Sequence, residues 1–182
     1  MKNTIKENSA LLIIDAQEKI IKPIKDKDSI IKNIRMLLNA YQILEEEIYL
    51  SEQSPKKLGA TIPYLLPTKK YKLFNKVEFS LAHNSEFKNE VHTKKIKNLI
   101  VCGFETHICI QQTVLDLIYQ KYKVYIVVDS MGSRNYIDHE ISLKRMVKEG
   151  AIIATTESII FELCETSARE EFKLISNIIK NS

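Results

Sequence analysis

The chain has 182 residues, of which 45% are hydrophobic and 27% charged. Those are ordinary proportions for one domain that buries its own core without staples. Its net charge of +4 comes from interspersed Lys and Glu, and the longest basic stretches, Lys69-Lys70 and Lys94-Lys95-Ile96-Lys97, are short. They read as a solvated surface rather than a nucleic-acid footprint. An odd number of cysteines, three, does not make a disulfide framework. The first eight residues carry no signal-peptide or transit pattern, and no apolar run approaches ~20 residues. The expectation is a soluble cytoplasmic protein in a reducing compartment, with no membrane partner.

Short apolar runs alternate with amphipathic ones throughout. Ala10 to Ile14 predicts a buried strand closed by Asp15. From about Asp28, Ile30, Ile31, Ile34, Leu37, Leu38 and Tyr41 recur at helical intervals. Ile48 to Leu50 is a second, short strand. Ser51 to Pro67 contains Pro55, Gly59, Pro63 and Pro67, which predicts a loop with at most one helical turn. Lys70 to Phe74 is a third strand, Glu86 to Val91 a surface helix, and Asn98 to Cys102 a fourth strand. Thr106 to Tyr119 reads as a helix and Val124 to Val128 as a fifth strand closed by Asp129. Asp138 to Lys148 is a helix capped by Gly150, and Ala151 to Ala154 a sixth strand. Glu157 to Leu163 and Ser167 to Ile179 close the chain as helices. Unalternating apolar strands separated by helices predict an α/β fold with a mainly parallel sheet covered on both faces, in a single domain over residues 1–182.

Such sheets bind ligands beyond the carboxyl ends of their strands. Asp15, Lys76 and Cys109 all fall on that edge. Cys109 stands near the start of the fourth strand's following helix, where unpaired N–H groups and the dipole favour thiolate. A cysteine there is either a nucleophile or a small residue packed under the sheet. Lys76 can supply the positive charge a thiolate needs, or be a solvated loop charge. Asp15 can supply a base if burial holds its pKa in reach, or merely cap a turn.

Three segments, Ile13-Ile14-Asp15-Ala16-Gln17, Lys76-Val77-Glu78-Phe79-Ser80 and Gly103-Phe104-Glu105-Thr106-His107-Ile108-Cys109, occur in an order and spacing that resemble the isochorismatase-like cysteine hydrolases. Ser51 to Gly59 and Val127 to Arg134 also resemble the isochorismatase-domain-containing subgroup. The resemblance runs through nearly the whole chain. It implies a three-layer Rossmann-like fold with a six-stranded sheet, and usually a homo-oligomer. It assigns Cys109 as nucleophile, Asp15 as proton-transferring carboxylate and Lys76 as stabilising cation. It also implies a cis peptide between Phe104 and Glu105, and an oxyanion hole from the backbone N–H groups of Glu105 and Cys109. The reaction implied is attack of the Cys109 thiolate on a small-molecule amide-like carbonyl, with Asp15 protonating the departing amine and a thioester intermediate.

Two departures narrow the expectation. The family's nicotinamidases hold a metal through an Asp-x-His pair and further histidines after strand two. Here that segment is Glu52-Gln53-Ser54, and no histidine precedes His83. No catalytic metal and no cofactor are therefore expected. Members that cleave isochorismate's vinyl ether lack the cysteine, so Cys109 argues for carbon–nitrogen bond hydrolysis. Gln17, Phe79 and His107 are candidate pocket residues, each with an alternative as turn, core or outward-facing side chain. Tyr64 is a weaker aromatic candidate, Arg134 is expected to hold Asp129 or another acidic partner, in an intersubunit salt bridge or as a substrate clamp, and His139 to be a surface or capping residue. The rival expectations are a catalytically idle oligomeric interaction protein of this fold, and an RNA-associated, ribonuclease-like role.

Overall fold

The computed structural model describes residues 5–180. β1 (Ser9–Ile14) leads through one helical turn, α1 (Glu18–Ile21), into the long α2 (Lys27–Ile43). β2 (Glu47–Gln53) is followed by a helical turn, α3 (Pro55–Leu58), a 3₁₀ turn at Pro63–Leu65 and β3 (Lys72–Lys76). Then come α4 (Ser85–Thr93), β4 (Asn98–Phe104), a π turn at Thr106–Ile110, and α5 (Gln111–Tyr119). β5 (Lys123–Gly132), α6 (Tyr136–Lys148), β6 (Ile152–Ala154), α7 (Thr156–Cys164) and α8 (Phe172–Lys180) complete the order.

The six strands form one sheet in the order β3-β2-β1-β4-β5-β6, and every pairing is parallel. This is a doubly wound sheet whose strand order reverses between β1 and β4, the place where such folds open a crevice. Successive β1 side chains serve opposite faces. Leu11 and Ile13 pack with α2, α7 and α8, and Ala10, Leu12 and Ile14 pack with α4, α5 and α6. Burial on both faces is why β1 and β4 read as unbroken apolar runs.

β1 and β4 approach closely because of Gly103. Its φ is +116°, and a Cβ there would lie 2.1 Å from the Ile14 carbonyl oxygen. No other residue fits that backbone without moving a strand.

Several boundaries differ from the sequence reading. β2 runs on through Ser51, Glu52 and Gln53, which pair with Phe74, Asn75 and Lys76 of β3; a polar strand end is indistinguishable from a loop by hydropathy. The segment after β2 holds two helical turns rather than one. β5 continues past Asp129 because its register on β4 slips between Val101 and Gly103, so a bulge absorbs the extra residues. Asp129 is thereby freed to cap α7: its Oδ1 accepts from the Thr156 N–H at 2.8 Å and hydroxyl at 2.9 Å. The final helix starts at Phe172 rather than Ser167, since residues 166–171 turn around Arg169, which pairs with Glu171 at 2.9 Å. Among the described residues, no helix is long and apolar enough to cross a membrane.

Candidate active site

Asp15 directly follows β1, and its backbone takes the left-handed conformation (φ +48°) that aspartate tolerates better than most residues. The reversal leaves its carboxylate fully buried above the sheet edge. Lys76, the last residue of β3, starts two strands away, about 10 Å at the usual strand spacing. Its long side chain crosses β2, and its ammonium donates to Asp15 Oδ2 at 2.6 Å and to Gln53 Oε1 at 2.8 Å. Ser51 donates to Asp15 Oδ1 at 2.6 Å. Both side chains of the ion pair have no solvent exposure.

β2 thus supplies the bridge between the ends of β1 and β3. Ser51 and Gln53 are two residues apart, so they share a face of the strand. That spacing was the available signal for their role. Glu52, on the opposite face, clamps the following loop by accepting from the Thr61 N–H at 2.6 Å and hydroxyl at 2.8 Å.

Cys109 lies in the π turn between β4 and α5 and is only 5% exposed. Such turns recur at functional sites. Its thiol sits close enough to Asp15 and Lys76 that both act on its ionisation. Burial pushes the pKa well above the ordinary thiol range, the Asp15 carboxylate pushes it further, and Lys76 opposes both. Burial and Asp15 thus work against the thiolate that a place near a helix start favours, and Lys76 works for it. Desolvation is the largest of these influences, and the nearby cation counters it. The Phe104–Glu105 peptide bond is cis.

The other candidates are placed as follows. Gln17 is fully buried, and its amide is spent on backbone. Nε2 donates to the carbonyls of Gln53 at 3.1 Å and Gly59 at 2.5 Å, and Oε1 accepts from the Gln53 N–H at 2.7 Å. It ties β2 to the α3 turn. Phe79 stands exposed after β3, beside exposed Val77. Tyr64 lies under the Arg35 guanidinium, 5.3 Å away. His107 Nδ1 lies 2.9 Å from Ser133 Oγ, which aims the ring at the β5–α6 junction. Arg134 finds its acid in Glu105, with Nε 2.8 Å from Oε1. His139 reaches further inward than a surface residue: its Nδ1 is 2.9 Å from Thr106 Oγ1, and burial lowers its pKa. Among the described residues, no group of three metal-ligating side chains gathers.

An Asp, a Lys and a Cys thus meet at the switch point of this doubly wound sheet. The isochorismatase domain model matches residues 9–158, and the chain belongs to that family. It is 34% identical to isochorismatase family protein 1B of Dictyostelium discoideum over 97% of this chain and 88% of that protein. It is 35% identical to isochorismatase domain-containing protein 1 of Salmo salar, covering 99% of this chain but only 64% of that longer one. A solved structure of the MAR1 ribonuclease from Caenorhabditis elegans superposes with a TM-score of 0.89 at 36% identity, covering 97% of this chain and 92% of that one. The YcaC gene product of Escherichia coli, described as an octameric hydrolase of unknown specificity, shares the fold at 22% identity and a TM-score of 0.88, over 97% of this chain and 88% of its own.

Proposed function

We propose that the chain is a cysteine hydrolase that cleaves a C–N bond of a small amide-type molecule without a metal. The observation that carries this is the buried Asp15–Lys76 pair set against the Cys109 thiol at the sheet's switch point. Burial opposes loss of the thiol's proton, and Asp15 is the carboxylate beside it that can take that proton.

In the first step the Cys109 sulfur bonds to the substrate carbonyl carbon as its proton passes to Asp15. The carbonyl oxygen takes the negative charge, received by the backbone N–H groups of Glu105 and Cys109. The C–N bond then breaks, Asp15 returns the proton to the departing amine, and a thioester remains on Cys109. Water adds to the thioester with Asp15 as base, the C–S bond breaks, and acid and thiol are released. Lys76 keeps Asp15 oriented and offsets the charge that collects around it. Burial of all three groups suits a small substrate rather than a polymer.

A screen of primary amides with mass analysis of the Cys109 peptide tests this. The expected result is an acyl adduct on Cys109, and turnover reduced about 10⁴-fold or more in Cys109→Ala. Turnover unaffected by that substitution overturns the reading. The name of the C. elegans structure favours an RNA-directed role as the second reading. That reading requires RNA binding that weakens steeply with salt, whereas a small-molecule hydrolase shows weak, flat binding. The protein is also expected to be a homo-oligomer, and elution at the 21.1 kDa monomer mass contradicts that.

A further inference from the structure

Beside the triad, but lined by none of its members, a cavity of about 400 Å³ opens between the end of β5, the start of α6 and the turn into α2. Its lining carries both signs of charge. Lys25 has no hydrogen-bond or ion-pair partner among the described residues, and the Arg134 guanidinium uses only Nε, on Glu105. Opposite in sign are Asp26, whose side chain caps nothing, and Asp129, whose Oδ1 alone is engaged with Thr156. Buried Ile24, Ile30 and Met131 supply an apolar floor.

The cavity wall also holds the chain segment that leads into Cys109. Glu105 is held by Arg134, Thr106 by His139 and His107 by Ser133, and all three holding residues line the cavity. Three consecutive residues next to the thiol are therefore tethered to one small chamber.

We propose that this cavity is a second small-molecule site, for an amino-acid-sized zwitterion, and that Cys109 senses its occupancy through Glu105, Thr106 and His107. A ligand carboxylate answers Lys25 and the open N–H groups of Arg134, and an ammonium answers Asp26 and Asp129. A molecule with one charge alone leaves the opposite pair unanswered and meets repulsion. A side chain of modest size occupies the apolar floor, and the volume suits such a ligand. A carboxylate on Arg134 competes with Glu105 for the guanidinium, and Glu105 adjoins the segment that turns into the Cys109 helix. The inference goes beyond the hydrolase reading, and its binding arm stands apart from turnover.

The test titrates the whole protein calorimetrically with glycine, L-alanine, L-leucine and L-phenylalanine. The monofunctional analogues of leucine, 4-methylpentanoate and 3-methylbutylamine, are run beside them. At least one amino acid is expected to bind saturably, with both monofunctional analogues about tenfold weaker or worse. Lys25→Ala and Asp26→Asn are each expected to weaken it about tenfold. Saturating ligand is expected to change the Cys109 alkylation rate about fivefold. The ligand-free rate of Lys25→Ala should match the parent. No binding by any amino acid, or binding indifferent to Lys25→Ala, overturns the site. Binding that leaves the alkylation rate unchanged overturns the coupling. Failure of the amide screen with binding intact overturns the hydrolase reading instead.

Discussion

Replacing Lys76 with methionine isolates the charge at the centre of the site. Methionine keeps most of the lysine stem's volume, so little cavity opens. Two buried acceptors lose their donor: Asp15 Oδ2, bonded at 2.6 Å, and Gln53 Oε1, bonded at 2.8 Å. Asp15 keeps the Ser51 hydroxyl and the neighbouring Cys109 thiol on its side chain. A buried carboxylate stripped of its cation costs about 3–5 kcal/mol of stability. With a urea slope of about 2 kcal/mol/M, the unfolding midpoint falls by roughly 2 M. Adding Asp15→Asn removes the stranded charge. The double variant is therefore expected to recover about half the loss or more, with a coupling energy above about 2 kcal/mol. Circular dichroism in urea on the four proteins of the cycle gives both numbers. A Lys76→Met cost below about 1 kcal/mol, the range of solvent-exposed pairs, would refute the claim that the pair is dry.

Iodoacetamide labelling of Cys109 should accelerate as pH rises through about 8.5 and reach no plateau below that value, because burial and Asp15 hold the proton on; a plateau below about pH 8 contradicts this. Asp15→Asn is expected to raise the labelling rate at neutral pH while abolishing amide turnover, since it removes a charge that opposes ionisation and also the group that moves the proton; parallel loss of both activities counts against the assignment. Gln17→Ala leaves two carbonyls and an N–H without partners, at a cost of about 2–4 kcal/mol in urea unfolding, together with faster proteolysis in the α3 turn. Gly103→Ala places a methyl 2.1 Å from the Ile14 carbonyl oxygen and should prevent accumulation of folded protein; a melting temperature within a few degrees of the parent refutes it.

The layering was legible because apolar runs and helical spacing are local signals, and β1 and β4 carry theirs undiluted. The edge position of Asp15, Lys76 and Cys109 followed from counting strands. What escaped was polar and long-range. Ser51 and Gln53 look like loop, yet they extend β2 and gain their role only when β1 and β3 lie on either side. His139 lies 33 residues from Thr106, and nothing in its own segment announces that contact. The position of Cys109 near a helix start is visible in sequence, whereas the burial that raises its pKa is not. Gln17 was a pocket candidate because it follows Asp15 closely, but its amide bonds the backbone of Gln53 and Gly59.

Lys76 comes from β3, which lies at the margin of the sheet and, among the described residues, pairs only with β2. Outer strands are the first to fray, and their amides exchange with solvent before those of the centre. The site's cation is thus mounted on the part of the sheet that opens most readily, while its carboxylate and thiol are anchored at the middle. Any opening of β3 withdraws the ammonium and leaves Asp15 and Cys109 facing each other without it. Deuterium uptake at residues 72–76 therefore doubles as a gauge of how often the centre is assembled, and a molecule that seats against Lys76 should slow it.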